Sequence, residues 1–133
     1  MPPIHYVLNA TLPTEAVVRV LNNSGITRPT QDAARIAQMF ANANVVVSAW
    51  DGDHLVGVAR ALSDFCYCCY LSDLAVDAAY QRQGIGDALI TQVRHAMGDG
   101  VSLILLSAPG AMGYYPKVGF TAADNAFVIK RQA

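Results

Sequence analysis

Leu74-Ala75-Val76-Asp77-Ala78-Ala79-Tyr80-Gln81-Arg82-Gln83-Gly84-Ile85-Gly86-Asp87-Ala88-Leu89 is the stretch that decides the kind of fold. An apolar strand runs into a polar turn, and two glycines open a helix. A helix N-terminus exposes unpaired N–H groups and carries partial positive charge, so this junction suits a phosphate or diphosphate. The glycines let a ligand approach the backbone, and Arg82 adds a mobile cation. Taken alone, Gly84-x-Gly86 is unspecific. A dinucleotide fingerprint would place a third glycine at position 89, where Leu89 stands, and a Walker loop would need Gly-Lys-Ser/Thr, which is absent.

Outward from this junction, Gly84 to Met97 has the clearest helical period in the chain. Ile85, Leu89, Val93 and Met97 share one face, and Gly98 to Gly100 ends the helix. Cys66 to Val76 reads as a central strand. Before it, Val45 to Trp50 and His54 to Leu62 flank Asp51-Gly52-Asp53, a hairpin signal, and Ser63-Asp64-Phe65 makes the next turn. Two helices precede the hairpin. One runs from Thr14 to Leu21 behind Pro13; the other opens at Thr30-Gln31-Asp32 and spaces Ala33, Ile36, Ala37 and Phe40 by threes and fours. A first strand is expected around Ile4–Leu8. Downstream come a strand over Val101–Ser107, a short helix or loop over Pro109–Tyr115, and closing strands at Phe120 and Phe127-Val128-Ile129. No repeat, linker or low-complexity tract interrupts the chain, so residues 1–133 are expected to form a single mixed α/β domain.

Bulk properties narrow the function. A 53% hydrophobic share with 14% charged residues predicts a well-filled core. A net charge of −1, with only 9 scattered Lys and Arg, offers nothing to attract nucleic acid or an anionic membrane. The N-terminus lacks the charged start and apolar run of a signal peptide, and the apolar stretches are shorter than the roughly 20 residues that span a bilayer. Cys66, Cys68 and Cys69 are odd in number and lack a second ligand pair, so ordinary buried thiols in a reducing cytoplasm are expected, with no metal.

The pattern Gln81-Arg82-Gln83-Gly84-Ile85-Gly86 after a strand, together with Tyr114-Tyr115-Pro116-Lys117-Val118-Gly119-Phe120 downstream, resembles the GNAT superfamily of N-acetyltransferases. The order of elements along nearly the whole chain is similar too. The resemblance implies a mostly antiparallel central sheet with a parallel, V-shaped splay, flanked by helices. It also implies acetyl-CoA as co-substrate, with the pantetheine arm along the backbone of Leu74, Ala75 and Val76. The turn Gln81, Arg82, Gln83, Gly84, Ile85, Gly86 and Asp87 would cradle the pyrophosphate. Many members carry an asparagine seven residues before their catalytic tyrosine, and here that place is Ala108. A side-chain contact of that kind is therefore in doubt.

The resemblance also implies that Tyr115 is the general acid for the departing thiolate, although a packing role beside Tyr114 is the alternative. An unperturbed phenol, pKa about 10, keeps its proton at pH 7. An alkyl amine is only about one part in two thousand neutral at that pH, so its proton must go somewhere. Glu15 is the only glutamate. Asp73, on the strand just before the cofactor-binding backbone, is the first candidate base, and Asp64 the second. Trp50, Arg60, Tyr67 and Tyr70 are candidates for an acceptor pocket. At this chain length a small-molecule amine is the expected acceptor, with a protein or peptide amine as the alternative. A non-catalytic acyl-CoA sensor on the same fold is the competing class. The apolar composition is compatible with a homodimer.

Overall fold

In the computed structural model, which describes residues 3–132, the chain runs β1 (Ile4–Leu8), α1 (Thr14–Ser24), α2 (Ala33–Ala41), β2 (Val45–Asp51), β3 (His54–Ser63), β4 (Cys68–Val76), α3 (Ile85–Met97) and β5 (Ser102–Ile104). Short 3₁₀ turns lie at Ala78–Tyr80, Pro109–Ala111 and Tyr115–Val118. The five strands form one sheet in sequence order, antiparallel throughout except where β4 meets β5. This is the mixed α/β architecture that the sequence predicts.

Local chemistry accounts for the element ends. Gly52, at φ 60°, supplies the left-handed residue of the two-residue β2–β3 turn. Gly25, at φ 87°, ends α1 in the same backbone region. The Asp32 carboxylate caps α2 by accepting from the Arg35 amide. In α1, Val17, Val20 and Leu21 form the buried stripe. They pack with Ile36 of α2 on one sheet face, against Val46, Leu55, Val58 and Ala75. The opposite face is covered by α3, through Ile85, Leu89, Ile90, Val93 and Met97. Each fully buried aliphatic side chain there contributes about 1.5–3 kcal/mol.

The β3–β4 turn hangs on one carboxylate. Asp64 Oδ1 accepts from the amides of Cys66, Tyr67 and Cys68 at 2.9, 2.7 and 3.0 Å. Those three backbone bonds hold the Asp64 carboxyl down to about 2. A depressed acid stabilises the fold above its unfolded value and loses that contribution as pH falls through its folded value. We therefore expect the Cys66, Tyr67 and Cys68 amide resonances to move together with a midpoint near pH 2, as the folded carboxylate takes up its proton. A midpoint near the ordinary aspartate value in an NMR titration would contradict this.

Two features of β4 place the site. Arg60 pairs with Asp73 but Ala61 pairs with Leu71, so Ser72 is an extra residue in a β-bulge. The bulge swaps the faces. Cys69 and Leu71 pack toward α3, whereas Ala75 packs toward α1. In addition, β4 pairs with β5 only over Cys68–Tyr70 and Ser102–Ile104. Beyond Tyr70 the two strands part, leaving the V-shaped splay that the resemblance implies.

Three expectations need correction. The strand over Val101–Ser107 contracts to Ser102–Ile104, because the splay removes β4 as a partner for the rest. Phe120 and Phe127-Val128-Ile129 form no strand, since no described strand edge pairs with them. Finally, only Cys69 is buried; Cys66 and Cys68, in and beside the turn, are exposed.

Candidate acetyl-donor site

The turn before α3 is built to leave its amides open. Asp77 receives the Ala79 amide at 3.0 Å and the Asn23 side-chain amide at 3.2 Å, tying the start of the turn to α1. Tyr80 donates its hydroxyl to Asp51 at 2.6 Å, and this bond raises the pKa of the Tyr80 phenol. Arg82 at φ 64° and Gly84 at φ 84° then curl the backbone through left-handed conformations. For arginine that conformation costs roughly 1–2 kcal/mol, the kind of strain that concentrates at functional turns. Gly84 is the N-cap and makes no side-chain cap bond; the first intrahelical bond runs from the Ala88 amide to the Gly84 carbonyl. The amides of Ile85, Gly86 and Asp87 therefore lie in the unpaired first turn of α3. Such a helix start has the geometry of an anion cradle.

The splay supplies a second set of open groups. The Asp77 amide bonds to the Val56 carbonyl of β3 at 2.8 Å. Because peptide groups alternate along a strand, those of Ala75 also face β3, while those of Leu74 and Val76 face away, toward the splay. The Val76 carbonyl is already held by the Gln81 side-chain amide at 2.8 Å, and the same amide reaches the Ser24 carbonyl at 3.2 Å. Gln81 is thus placed to fix the turn, although it is exposed like Arg82 and Gln83. Extended, unpaired peptide groups beside an anion cradle fit a diphosphate that carries an amide-containing arm.

Two tyrosines close the arrangement. A Cβ added to Gly86 would lie 2.7 Å from the Tyr114 hydroxyl, so Gly86 is what lets Tyr114 rest on the first turn of α3. The Tyr115 ring meets Tyr114 edge-on at 5.2 Å and Phe120 at 5.5 Å. Burial pushes the Tyr115 phenol up, partly opposed by the nearby Arg28 charge. Tyr115 therefore holds its proton at neutral pH, one aromatic ring away from the anion cradle.

Asp73 is buried and paired with two cations. It is 0% exposed, and its two oxygens are bound by two guanidinium groups: Arg28 Nε at 2.5 Å on Oδ1 and Arg60 Nε on Oδ2. Arg28 also donates to the Ser72 carbonyl at 2.7 Å, and Arg60 donates to the Ser72 hydroxyl at 2.8 Å. The Arg60 guanidinium lies 5.7 Å from the Phe40 ring centre. Asp73 is therefore the anchor of the β4 bulge, with both oxygens engaged. That engagement weighs against the general-base role expected of it. Arg60, expected as an acceptor contact, is buried in the same cluster. Asp64 is the turn cap described above. Trp50 donates to Ser48 Oγ at 2.8 Å and packs in the α1 face, while Tyr67 and Tyr70 are exposed.

Arg28 is the residue that the sequence reading missed. It lies in the turn-rich segment between α1 and α2, and its partner is 45 residues away. One signal did exist: Arg60 and Asp73 are the lone charged residues of mostly apolar stretches, Leu55–Leu62 and Cys68–Val76, and a buried charge demands a partner.

Comparison with known proteins agrees with this geometry. Residues 17–130 match the family model described as an acetyltransferase (GNAT) domain. Over 105 residues the chain is 32% identical to the mycothiol acetyltransferase of Corynebacterium efficiens, covering 74% of this chain and 34% of that protein. Over 70 residues it is 37% identical to the histone acetyltransferase TAP1 of Glycine max, covering 51% of this chain and 30% of that one. The chain thus spans about a third of the length of these curated relatives. A GNAT-family acetyltransferase structure from Streptococcus pneumoniae TIGR4 superposes with a TM-score of 0.74 at 25% identity, over 98% of this chain and 100% of that one. The unpaired α3 turn, the β4–β5 splay and the match over residues 17–130 lead to one conclusion: this chain belongs to the GNAT acetyltransferase family.

Proposed function

We propose that this protein transfers the acetyl group of acetyl-CoA to the amine of a small molecule, with Tyr115 as general acid. The observation that carries the reading is the juxtaposition of an uncapped α3 N-terminus, an open β4–β5 splay and a protonated Tyr115 joined to them through Tyr114. When bound, acetyl-CoA supplies an activated thioester. The chain's own part is to hold the diphosphate on the amides of Ile85, Gly86 and Asp87, and the arm along Leu74–Val76. The Tyr115 hydroxyl then gives its proton to the sulfur as the carbon–sulfur bond breaks. Asp73 positions the bulge, and the amine's proton leaves to water. Exposed, free Cys66 and Cys68 support a reducing, cytoplasmic setting.

Incubating the protein with acetyl-CoA and a panel of small amines, and following free-thiol release, tests the reaction. Because the relatives' names divide between mycothiol and histone, the panel includes lysine-bearing peptides; turnover on peptides alone would overturn the small-molecule reading. Tight CoA binding with no turnover on any amine would favour the sensor.

The donor site has its own test. Gly84→Asp is expected to weaken CoA binding by about 100-fold or more, since a carboxylate about 5 Å from a diphosphate costs about 3 kcal/mol per phosphate charge at an effective dielectric of 20. Gly84→Ala carries the left-handed backbone cost without the charge and separates the two effects. Calorimetric affinity unchanged in a folded Gly84→Asp protein would place the phosphates elsewhere.

A further inference from the structure

Arg28 is engaged on one edge only. Its Nε donates to Asp73 Oδ1 at 2.5 Å and its Nη2 to the Ser72 carbonyl at 2.7 Å, so that edge of the guanidinium holds the β4 bulge. Nη1 donates to the Thr27 carbonyl at 2.7 Å. A guanidinium carries five N–H groups in one plane. Nη1 and Nη2 therefore each keep one N–H without a partner among the described residues. Arg60 differs: all three of its nitrogens are engaged, by Asp73, the Met39 carbonyl and Ser72. Its side chain is 10% exposed against 26% for Arg28. Two guanidinium groups around one carboxylate leave one positive charge in excess, and Arg28 presents it.

That charge stands at the reacting end of the donor site. With the diphosphate on the α3 amides and the arm along Leu74–Val76, the acetyl group comes level with Ser72 and Asp73, the residues that Arg28 binds. Asp73 and Ala75 share a sheet face by strand alternation, and Ala75 packs on the α1 side. Arg28 reaches Asp73 from the loop between α1 and α2, so it approaches from that side. The Tyr115 phenol feels the same cation. A cation beside an acceptor disfavours its ammonium form and repels polyamines. An anionic group on the acceptor would offset that repulsion.

We infer that Arg28 anchors the acceptor: its two free N–H groups receive a carboxylate, and the acceptor is an amine that carries one. A guanidinium edge with two donors matches the two oxygens of a carboxylate. Asp73 then has a second task, since its grip on Nε fixes the plane in which Arg28 offers its remaining donors. The inference rests on the transfer reading above and narrows its acceptor from any small amine to amino acids. Polyamines are disfavoured by charge.

Free-thiol release from acetyl-CoA with amino acids of increasing amine-to-carboxylate spacing, each paired with its own carboxamide, tests this. At the best spacing the wild type is expected to prefer the acid by about 10- to 100-fold in kcat/KM, mostly through KM, as for a hydrogen bond to a charged group. Arg28→Gln is expected to lower that acid-to-amide ratio by the same factor. Each ratio is taken within one preparation, so loss of folded protein cancels; comparing the two proteins cancels any difference in amine basicity. Arg28→Lys keeps a charge beside Asp73 without the planar fork, and it serves if Arg28→Gln does not fold; the ratio is expected to fall about tenfold. A ratio unchanged in these variants would make Arg28 a structural partner of Asp73 and overturn the inference, with the transfer reading still standing. If no amine is acetylated, the transfer reading fails, and calorimetry on CoA-loaded wild type judges the anchor separately. N-acetylated acids are then expected to bind at least about tenfold more tightly than their amides, and equal affinities would overturn the inference. Turnover of O-phosphoethanolamine above every carboxylate would overturn the choice of carboxylate.

Discussion

Replacing Asp73 by asparagine is expected to destabilise the protein by about 3–5 kcal/mol, the cost of breaking a buried ion pair by removing one partner. In a chain of this size, thermal unfolding should begin roughly 10–20 °C lower. The reason is geometric. Asp73 is the single carboxylate between Arg28 and Arg60, and both guanidinium groups also bind Ser72, the extra residue of the β4 bulge. Asparagine keeps the shape but removes the negative charge, leaving Arg60 buried beside another cation. Activity at a temperature where the variant is folded separates this role from base catalysis. A positioning residue lowers the rate through a distorted splay, with the pH profile keeping its shape. If Asp73 were the proton acceptor, the variant would recover rate as pH rises.

Tyr115→Phe is expected to lower kcat by about 10²–10⁴-fold, the range attributed to a positioned general acid, with CoA affinity nearly unchanged. The ring packs edge-on against Tyr114 and Phe120, contacts that phenylalanine retains, so the fold and the diphosphate cradle should survive. Burial raises the Tyr115 phenol above its ordinary value, and the rate should therefore hold through neutral pH and fall only above about pH 10. A folded Tyr115→Phe protein with wild-type kcat would remove Tyr115 from the chemistry. Loss of CoA binding in that variant would instead make it a packing residue of the donor site.

The fold was legible wherever one stretch of chain carries its own instructions. The α3 face of Ile85, Leu89, Val93 and Met97 and the Gly52 hairpin each depend on neighbours within a few residues, and both appear as read. The site was legible only in its backbone half. Glycine spacing announces an open helix N-terminus, because the conformation that exposes the amides is itself local. The two cations that hold Asp73 were not legible for the opposite reason: position along β4 says which strand a carboxylate occupies, not which cations arrive from elsewhere.

Read alone, then, the sequence determined the order of strands and helices as far as β5, the glycine-opened turn ahead of α3 and the family resemblance. Periodicity and left-handed glycine positions act over one turn or one strand, so no tertiary knowledge is needed to find them. Tertiary structure alone decided three matters. It tied Asp73 to Arg28 across 45 residues, seated Tyr114 on Gly86, and left Phe127-Val128-Ile129 without a strand to join. Each depends on surfaces that exist only once distant segments have packed. A buried charge finds its partner, and a strand its edge, in space and not in the chain.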